Sequence, residues 1–307
     1  MSNFTRRKLM QWAAGGAVGS VIFGGLLGRR ASAQSVPFVG LALSGVDATH
    51  PNGTGLWLLD QAGRIQTLGA APAFADASII PCVRPSPYLA MAAMPAGGPA
   101  GDGVVALTQD GQFRAFGFFD FKRLQFVLGR TSPLPTRRLP YAAMAVMPDG
   151  TGAWALDMMG RLSTFGSAPN FGVGTMDPCY RPSPYAALVP TPSGDGLYAL
   201  TQSGQLRTFG NATLGDGTII PCVEPVPFVA VGITPSGGGL WALDLLGRVR
   251  TLGSATPFVG RIVDPCMTPL PFVAMVPTPS GEGLYTVNMR GEISTFGDAL
   301  NFSAPVR

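Results

Sequence analysis

Charge and histidine are scarce in this chain of 307 residues: 12% are Asp, Glu, Lys or Arg, and the single histidine is His50. Catalysis at neutral pH draws on a poised base, a metal or an activated nucleophile. The sequence holds no His-Glu-x-x-His, no Gly-x-Ser-x-Gly and no Gly-rich strand-to-helix turn that would cradle a phosphate. With no Cys-x-x-Cys pair and one histidine there is no zinc ligand set, so neither a metal nor a cofactor is expected. The formal charge of +4 and pI near 9.1 suggest a nucleic-acid or anionic-membrane partner, but the distribution of charge removes that reading. Residues 1–33 hold Arg6, Arg7, Lys8, Arg29 and Arg30 and no acid; taking these five from the 21 basic residues leaves 16 against 17 acidic ones. Long apolar runs are also missing beyond the N-terminus, so no membrane span is expected after residue 33.

The N-terminal segment reads as an address. Thr5-Arg6-Arg7-Lys8-Leu9-Met10 precedes an apolar, Gly-rich run from Trp12 to Gly28, and Ala31-Ser32-Ala33 supplies a small-x-small cleavage signal. This resembles a bacterial twin-arginine signal peptide. The alternative is a retained anchor, but a run of 17 residues rich in glycine is short for crossing a bilayer. Cleavage after Ala33 leaves a soluble periplasmic or extracellular protein from Gln34. The resemblance implies export of a chain that is already folded.

What the sequence does have is a repeat. Pro-aromatic pairs recur at Pro37-Phe38, Pro87-Tyr88, Pro140-Tyr141, Pro184-Tyr185, Pro227-Phe228 and Pro271-Phe272, at spacings of 50, 53, 44, 43 and 44 residues. They divide the domain 34–307 into units 37–86, 87–139, 140–183, 184–226, 227–270 and 271–307. The unit from Pro227 shows the pattern: an apolar run Phe228 to Ile233, a Gly-rich turn, a second run Leu240 to Leu243, a turn Asp244-Leu-Leu-Gly247, an alternating segment Arg248 to Leu252, and a short outer segment Pro257-Phe-Val-Gly260. Runs this short between turns are strands rather than helices. We therefore expect an all-β fold: a six-bladed β-propeller with about 44 residues per four-stranded antiparallel blade. An open β-solenoid is the alternative, but its rungs are shorter and it needs caps that the sequence does not display. Because the last unit ends on its own outer segment, Leu300 to Ser303, closure is expected between complete blades with no exchanged strand.

Pro277-Thr-Pro-Ser-Gly-Glu-Gly-Leu-Tyr285 followed by Gly291-Glu-Ile-Ser-Thr-Phe-Gly-Asp-Ala299 resembles the Gly-Tyr/Trp and Thr-Phe-Gly-Asp-Ala repeats of secreted bacterial β-propeller proteins, often attached to cell-wall hydrolases. The resemblance covers all six units. It implies a propeller and an extracytoplasmic setting, and no catalytic residue.

Several features imitate sites. The second hairpin opens with Asp60, Thr108, Asp157, Thr201, Asp244 or Asn288, each followed three residues later by glycine. Three aspartates at equivalent positions resemble a metal ring, but exchange of Asp for Thr suits a turn acceptor and not a metal carboxylate. Trp57, Trp154 and Trp241 fall in odd units, which suggests pseudo-threefold duplication; each reads as a packing anchor rather than a sugar platform. Cys82, Cys179, Cys222 and Cys266 share a Pro-Cys-x-x-Pro-x-Pro context, and Ile79-Ile-Pro-Cys-Val83 recurs as Ile219-Ile-Pro-Cys-Val223. Two readings stay open for them: disulfides, or free core thiols repeated by duplication.

Unit 2 breaks the repeat. Its outer segment is replaced by Phe116 to Phe126, in which Phe118, Phe119 and Phe121 adjoin Lys122 and Arg123. Aromatics beside arginine favour an interface, while alternating phenylalanines also suit packing between blades. Hairpin tips Met158-Met159, Leu245-Leu246 and Met289 offer a second apolar surface. These residues are the partner-binding candidates. The expected function is a non-catalytic exported binding or scaffold module whose partner is an envelope protein or a cell-surface polymer. The rival is a propeller hydrolase or lyase acting on a glycan in the central funnel, for which Asp177, Asp216 and Asp264 are the acids to inspect.

Overall fold

A computed structural model describes residues 36–46, 50, 52–74, 86–94, 103–117, 140–158, 160–171, 183–215, 217–219, 226–258 and 270–302. The chain divides into Met1–Ser35 and Val36–Arg307, and every described residue belongs to the second unit. The signal residues Arg6, Arg7, Ala31 and Ala33 lie outside the described residues, as do Cys82, Cys179, Cys222 and Cys266 within the second unit.

The described residues of Val36–Arg307 form an all-β fold of six antiparallel sheets, one per sequence unit. The first strands are Phe38–Ser44, Tyr88–Ala93, Tyr141–Val146, Tyr185–Pro190, Phe228–Ile233 and Phe272–Pro277. Each pairs with a second strand, Gly55–Asp60, Gly103–Thr108, Gly152–Asp157, Gly196–Thr201, Gly239–Asp244 or Gly283–Asn288. That strand pairs in turn with Ile65–Gly69, Phe113–Gly117, Leu162–Gly166, Gln205–Gly210, Val249–Gly253 or Ile293–Gly297. Every first strand carries a register shift one residue after its leading aromatic, as between Phe38 and Gly40, so the duplication extends to a β-bulge.

The expectation of four strands per blade is corrected. Among the described residues five sheets have three strands, and only the fourth has another, Gly217–Thr218, pairing with Gln205 and Leu206. The segments expected as outer strands serve a different purpose where they are described. Phe258 stacks on Trp241 at 5.9 Å and Phe302 on Tyr285 at 5.7 Å, in irregular backbone. A residue that must lay its ring over an anchor in the second strand is taken out of a hydrogen-bonded ladder.

The blades close into a ring. The N–H of each leading aromatic donates to the residue just past the turn acceptor of the preceding blade: Tyr88 to Gln61, Tyr141 to Gln109, Tyr185 to Met158, Phe228 to Gln202 and Phe272 to Leu245, at 2.9 to 3.3 Å. Phe38 completes the cycle by donating to the Met289 carbonyl at 3.0 Å. Each first strand also packs against the first strand of the next blade, with Phe272–Pro277 against Phe38–Ser44. Among the described residues no strand is exchanged across that seam.

Packing follows from the ring. All six second strands are buried along their whole length, as strands covered on both faces must be. The core is therefore divided into six clusters, each shared by two neighbouring blades. The seam cluster joins Leu41, Leu43, Leu56 and Leu58 to Tyr285 and Val287. Glycine is required where a turn meets the next blade: Gly247, at φ 85°, leaves no room for a Cβ, which would lie 2.4 Å from the Phe272 ring.

Candidate functional site

A ring of this kind offers three surfaces: the axis, the face carrying the turns between second and third strands, and the face carrying the loops between first and second strands. The axis is bordered by the first strands, because these make the closest contacts from blade to blade. Their sequences, FVGLALS, YLAMAA, YAAMAV, YAALVP, FVAVGI and FVAMVP, contain no acid, base or histidine. The rival reading needs convergent acids and bases in the funnel; the titratable side chains of the bordering strands are Tyr88, Tyr141 and Tyr185, each buried in a cluster between blades. Asp177, Asp216 and Asp264 lie outside the described residues.

On the turn face the equivalent Asp, Thr and Asn residues do the same work. Asp60 Oδ1 accepts the Ala62 and Arg64 amides, Asp244 Oδ1 those of Leu246 and Arg248, and Asn288 Oδ1 those of Arg290 and Glu292. Thr108 Oγ1 accepts Gln112 N–H and Thr201 Oγ1 accepts Gln205 N–H at 3.0 and 2.9 Å. These are buried turn acceptors. Among the described residues no three His, Cys, Asp or Glu side chains gather where they could hold a metal.

Sequence reasoning passed over the partners of these aspartates. Odd blades place an arginine four residues after Asp: Arg64 Nε meets Asp60 Oδ2 at 3.1 Å, and Arg248 Nε meets Asp244 Oδ2 at 2.6 Å. Arg161 holds the same position in blade 3, where its amide donates to Asp157 Oδ1. The Asp-x-x-Gly-Arg spacing was the available signal. With the Arg64 side chain 66% exposed, such a pair contributes little stability, about 0–1 kcal/mol, but it orients the guanidinium.

The described charged side chains of the loop face are Asp149, Asp195, Glu282 and Asp298, without a lysine or arginine. Asp298 lies in the seam: its carboxylate accepts from Asn52 Nδ2 of blade 1 at 2.9 Å, from Thr278 Oγ1 at 2.9 Å and from Ser280 Oγ at 2.6 Å. Partial burial pushes its pKa up, but the hydrogen bonds from Ser280, Thr278 and Asn52 together outweigh that and hold it below the usual carboxylate value. The Ser193 hydroxyl, followed by the Asn211 amide, likewise lowers Asp195. No sequence signal marks the Asn52–Asp298 contact, whose partners are 246 residues apart.

Of the partner-binding candidates, Phe118, Phe119, Phe121, Lys122, Arg123 and Met159 lie outside the described residues. Met158, Leu245 and Leu246 are half-buried at the turn face, in blades 3 and 5, with Met289 in the same setting in blade 6. Among the described residues the single exposed large hydrophobic side chain is Leu300, on the loop face of blade 6. The three tryptophans are packing anchors: all are at most 1% exposed, and their Nε1 groups donate to Pro72, Pro169 and Thr256 carbonyls at 2.9 to 3.0 Å.

This architecture is that of a β-propeller with six blades, three-stranded in most. No protein-family model matches the chain, and no curated protein matches it. Among solved structures it is similar to the β-propeller domain of Myceliophteria thermophila Cps50 (Swd1), with 13% identity, a TM-score of 0.49, and coverage of 84% of this chain and 82% of that one. The ring is established by the chain's own hydrogen bonds, not by that likeness.

Proposed function

We propose that this chain is a non-catalytic binding or scaffold module, exported by the twin-arginine route to the periplasm or cell surface, where it contacts an envelope protein or surface polymer. The observation that carries the binding reading is the division of polar groups. The first strands bordering the axis carry no acid, lysine, arginine or histidine, and the repeated Asp, Thr and Asn residues are buried and committed to turn amides. What remains for function is the pair of faces and the irregular segment of unit 2. Loops on a rigid scaffold are where binding concentrates. The export half of the proposal rests on Arg6-Arg7, the apolar run and Ala31-Ser32-Ala33.

Affinity purification from the organism's own envelope after mild crosslinking tests the reading, comparing the native chain with a variant carrying Phe118→Ser, Phe119→Ser and Arg123→Ser. Loss of a partner from a variant that still folds supports a scaffold with its contact at unit 2. Recovery of a small glycan and its cleavage by the purified chain would overturn the non-catalytic reading. Replacement of Arg6 and Arg7 by lysine tests export separately: the chain is expected to accumulate in the cytoplasm.

A further inference from the structure

The loops between first and second strands share one turn. Where they are described, a glycine at φ 72 to 78° donates its N–H to the carbonyl three residues earlier: Gly53 to His50, Gly150 to Met147, Gly194 to Thr191, Gly237 to Thr234 and Gly281 to Thr278, at 2.9 to 3.0 Å. The residue before that glycine is Asn52, Asp149, Ser193, Ser236 or Ser280. In blades 3 to 6 its side chain bonds within its own blade: Asp149 accepts from Thr151, Ser193 and Ser280 donate to Asp195 and Asp298, and Ser236 accepts the Gly238 N–H. Blade 1 alone among them places an amide there, and this amide crosses the seam. Asn52 Nδ2 donates to the Asp298 carboxylate at 2.9 Å and to its carbonyl at 3.3 Å, and the Asn52 carbonyl accepts from the Tyr285 phenol of blade 6 at 3.4 Å. Asn52 Oδ1 is buried and has no hydrogen-bond partner.

Asn52-Gly53 is also the one Asn-Gly pair in the chain. Asparagine is thermolabile, and a following glycine leaves the peptide nitrogen unshielded by a Cβ. In the reaction the Gly53 nitrogen loses its proton and attacks Asn52 Cγ; Nδ2 leaves as ammonia, and the five-membered imide takes up water to open as aspartate or isoaspartate. The closed ring opposes both parts of the attack. The Gly53 proton is engaged by the His50 carbonyl, and the departing nitrogen by Asp298. Attack therefore belongs to a state in which the clasp between blades 6 and 1 has opened. The product differs from the amide at the seam itself. Its carboxylate no longer donates to Asp298 but stands against it as a like charge, and its second oxygen takes the buried, donorless place of Oδ1. Asp149 occupies the same position in blade 3, so the turn accepts an aspartate and the penalty falls on the seam.

We propose that Asn52 is a modification site that records opening of the ring: once the seam parts, Asn52 deamidates through Gly53, and the acid formed keeps blades 6 and 1 from closing fully. Water is the co-reactant. The inference is independent of export and of the binding reading.

Peptide mapping by mass spectrometry of the full chain, incubated near neutral pH with and without urea, tests the first half. Deamidation of Asn52 is expected to be about tenfold slower or more in the native chain than in the unfolded one. Asp298→Ala, which removes the clasp, should speed it about fivefold in native buffer, whereas Asp195→Ala in blade 4 leaves it unchanged. Asn52→Asp tests the second half by native-state hydrogen exchange: the Phe38 N–H should exchange about fivefold faster or more, with Tyr141 and Phe228 unchanged. Continued protection at Tyr141 and Phe228 separates an open seam from general misfolding. Equal rates of deamidation in the native and unfolded chain would overturn the proposal, as would no acceleration by Asp298→Ala or a Phe38 amide as protected in Asn52→Asp as in the native chain.

Discussion

Blades 5 and 6 solve one packing problem with opposite chemistry. In blade 5 the wholly buried Trp241 stacks on Phe258, and its Nε1 donates to the Thr256 carbonyl at 2.9 Å. In blade 6 the wholly buried Tyr285 stacks on Phe302, and its phenol oxygen accepts the Leu300 N–H at 2.8 Å. In both, the partner lies 15 residues further along the chain. The position therefore requires a large ring with a polar tip aimed at the segment that follows the third strand; whether the tip donates or accepts is set by how that segment presents its peptide. Blades 1 and 3 follow the tryptophan version and blade 4 the tyrosine version, where Tyr198 accepts Thr213 N–H at 2.9 Å.

Loss of the buried aromatic side chain has the largest effect. Trp241→Ala and Tyr285→Ala are each expected to cost about 3–5 kcal/mol, as truncations of large buried aromatics do, read as a fall in the denaturation midpoint. Next comes Gly247→Ala, which forces a side chain into positive φ and against Phe272; a loss of about 1–3 kcal/mol is expected, larger than for alanine at an ordinary turn glycine. Removing only the polar tip is smaller: Tyr285→Phe leaves the Leu300 N–H without its acceptor and should cost about 1 kcal/mol. Asp244→Asn should cost still less, under about 1 kcal/mol, because Asn288 caps the equivalent turn in blade 6; Asp244→Ala should cost more, about 1–2 kcal/mol, as loss of a turn acceptor.

Asp298 adds a pH term confined to the seam between blades 6 and 1. Its pKa in the folded chain lies below its ordinary value of 3.8, so the stabilisation is fully present above that value and is lost as pH falls through the folded pKa. Acid titration of Asp298→Asn should therefore show a shallower loss of stability below pH 3.8 than the native chain. A native titration curve identical to that of the variant would remove Asp298 from the closure.

The repeat made much of this readable in advance. Six Pro-aromatic starts, the interchange of Asp, Thr and Asn before a fixed glycine, and the tryptophans of odd units each recorded a local constraint that the fold repeats. The outer segments were misread because a short apolar stretch around Phe258 has the composition of a strand, and composition does not reveal that its ring is needed over Trp241. The seam contact was illegible for another reason. Asn52 and Asp298 are brought together by closure of the whole ring, and neither residue type nor spacing encodes a contact between the two ends of a propeller.

Ring closure is the premise on which the apolar axis and the two faces depend, and the Phe38 amide reports on it directly. In native-state hydrogen exchange, Phe38 N–H should be protected to the same order as its equivalents at Tyr88, Tyr141, Tyr185, Phe228 and Phe272, since all six donate across a blade boundary. Free exchange at Phe38 alone, with the other five protected, would mean an open arc of blades and would contradict the ring.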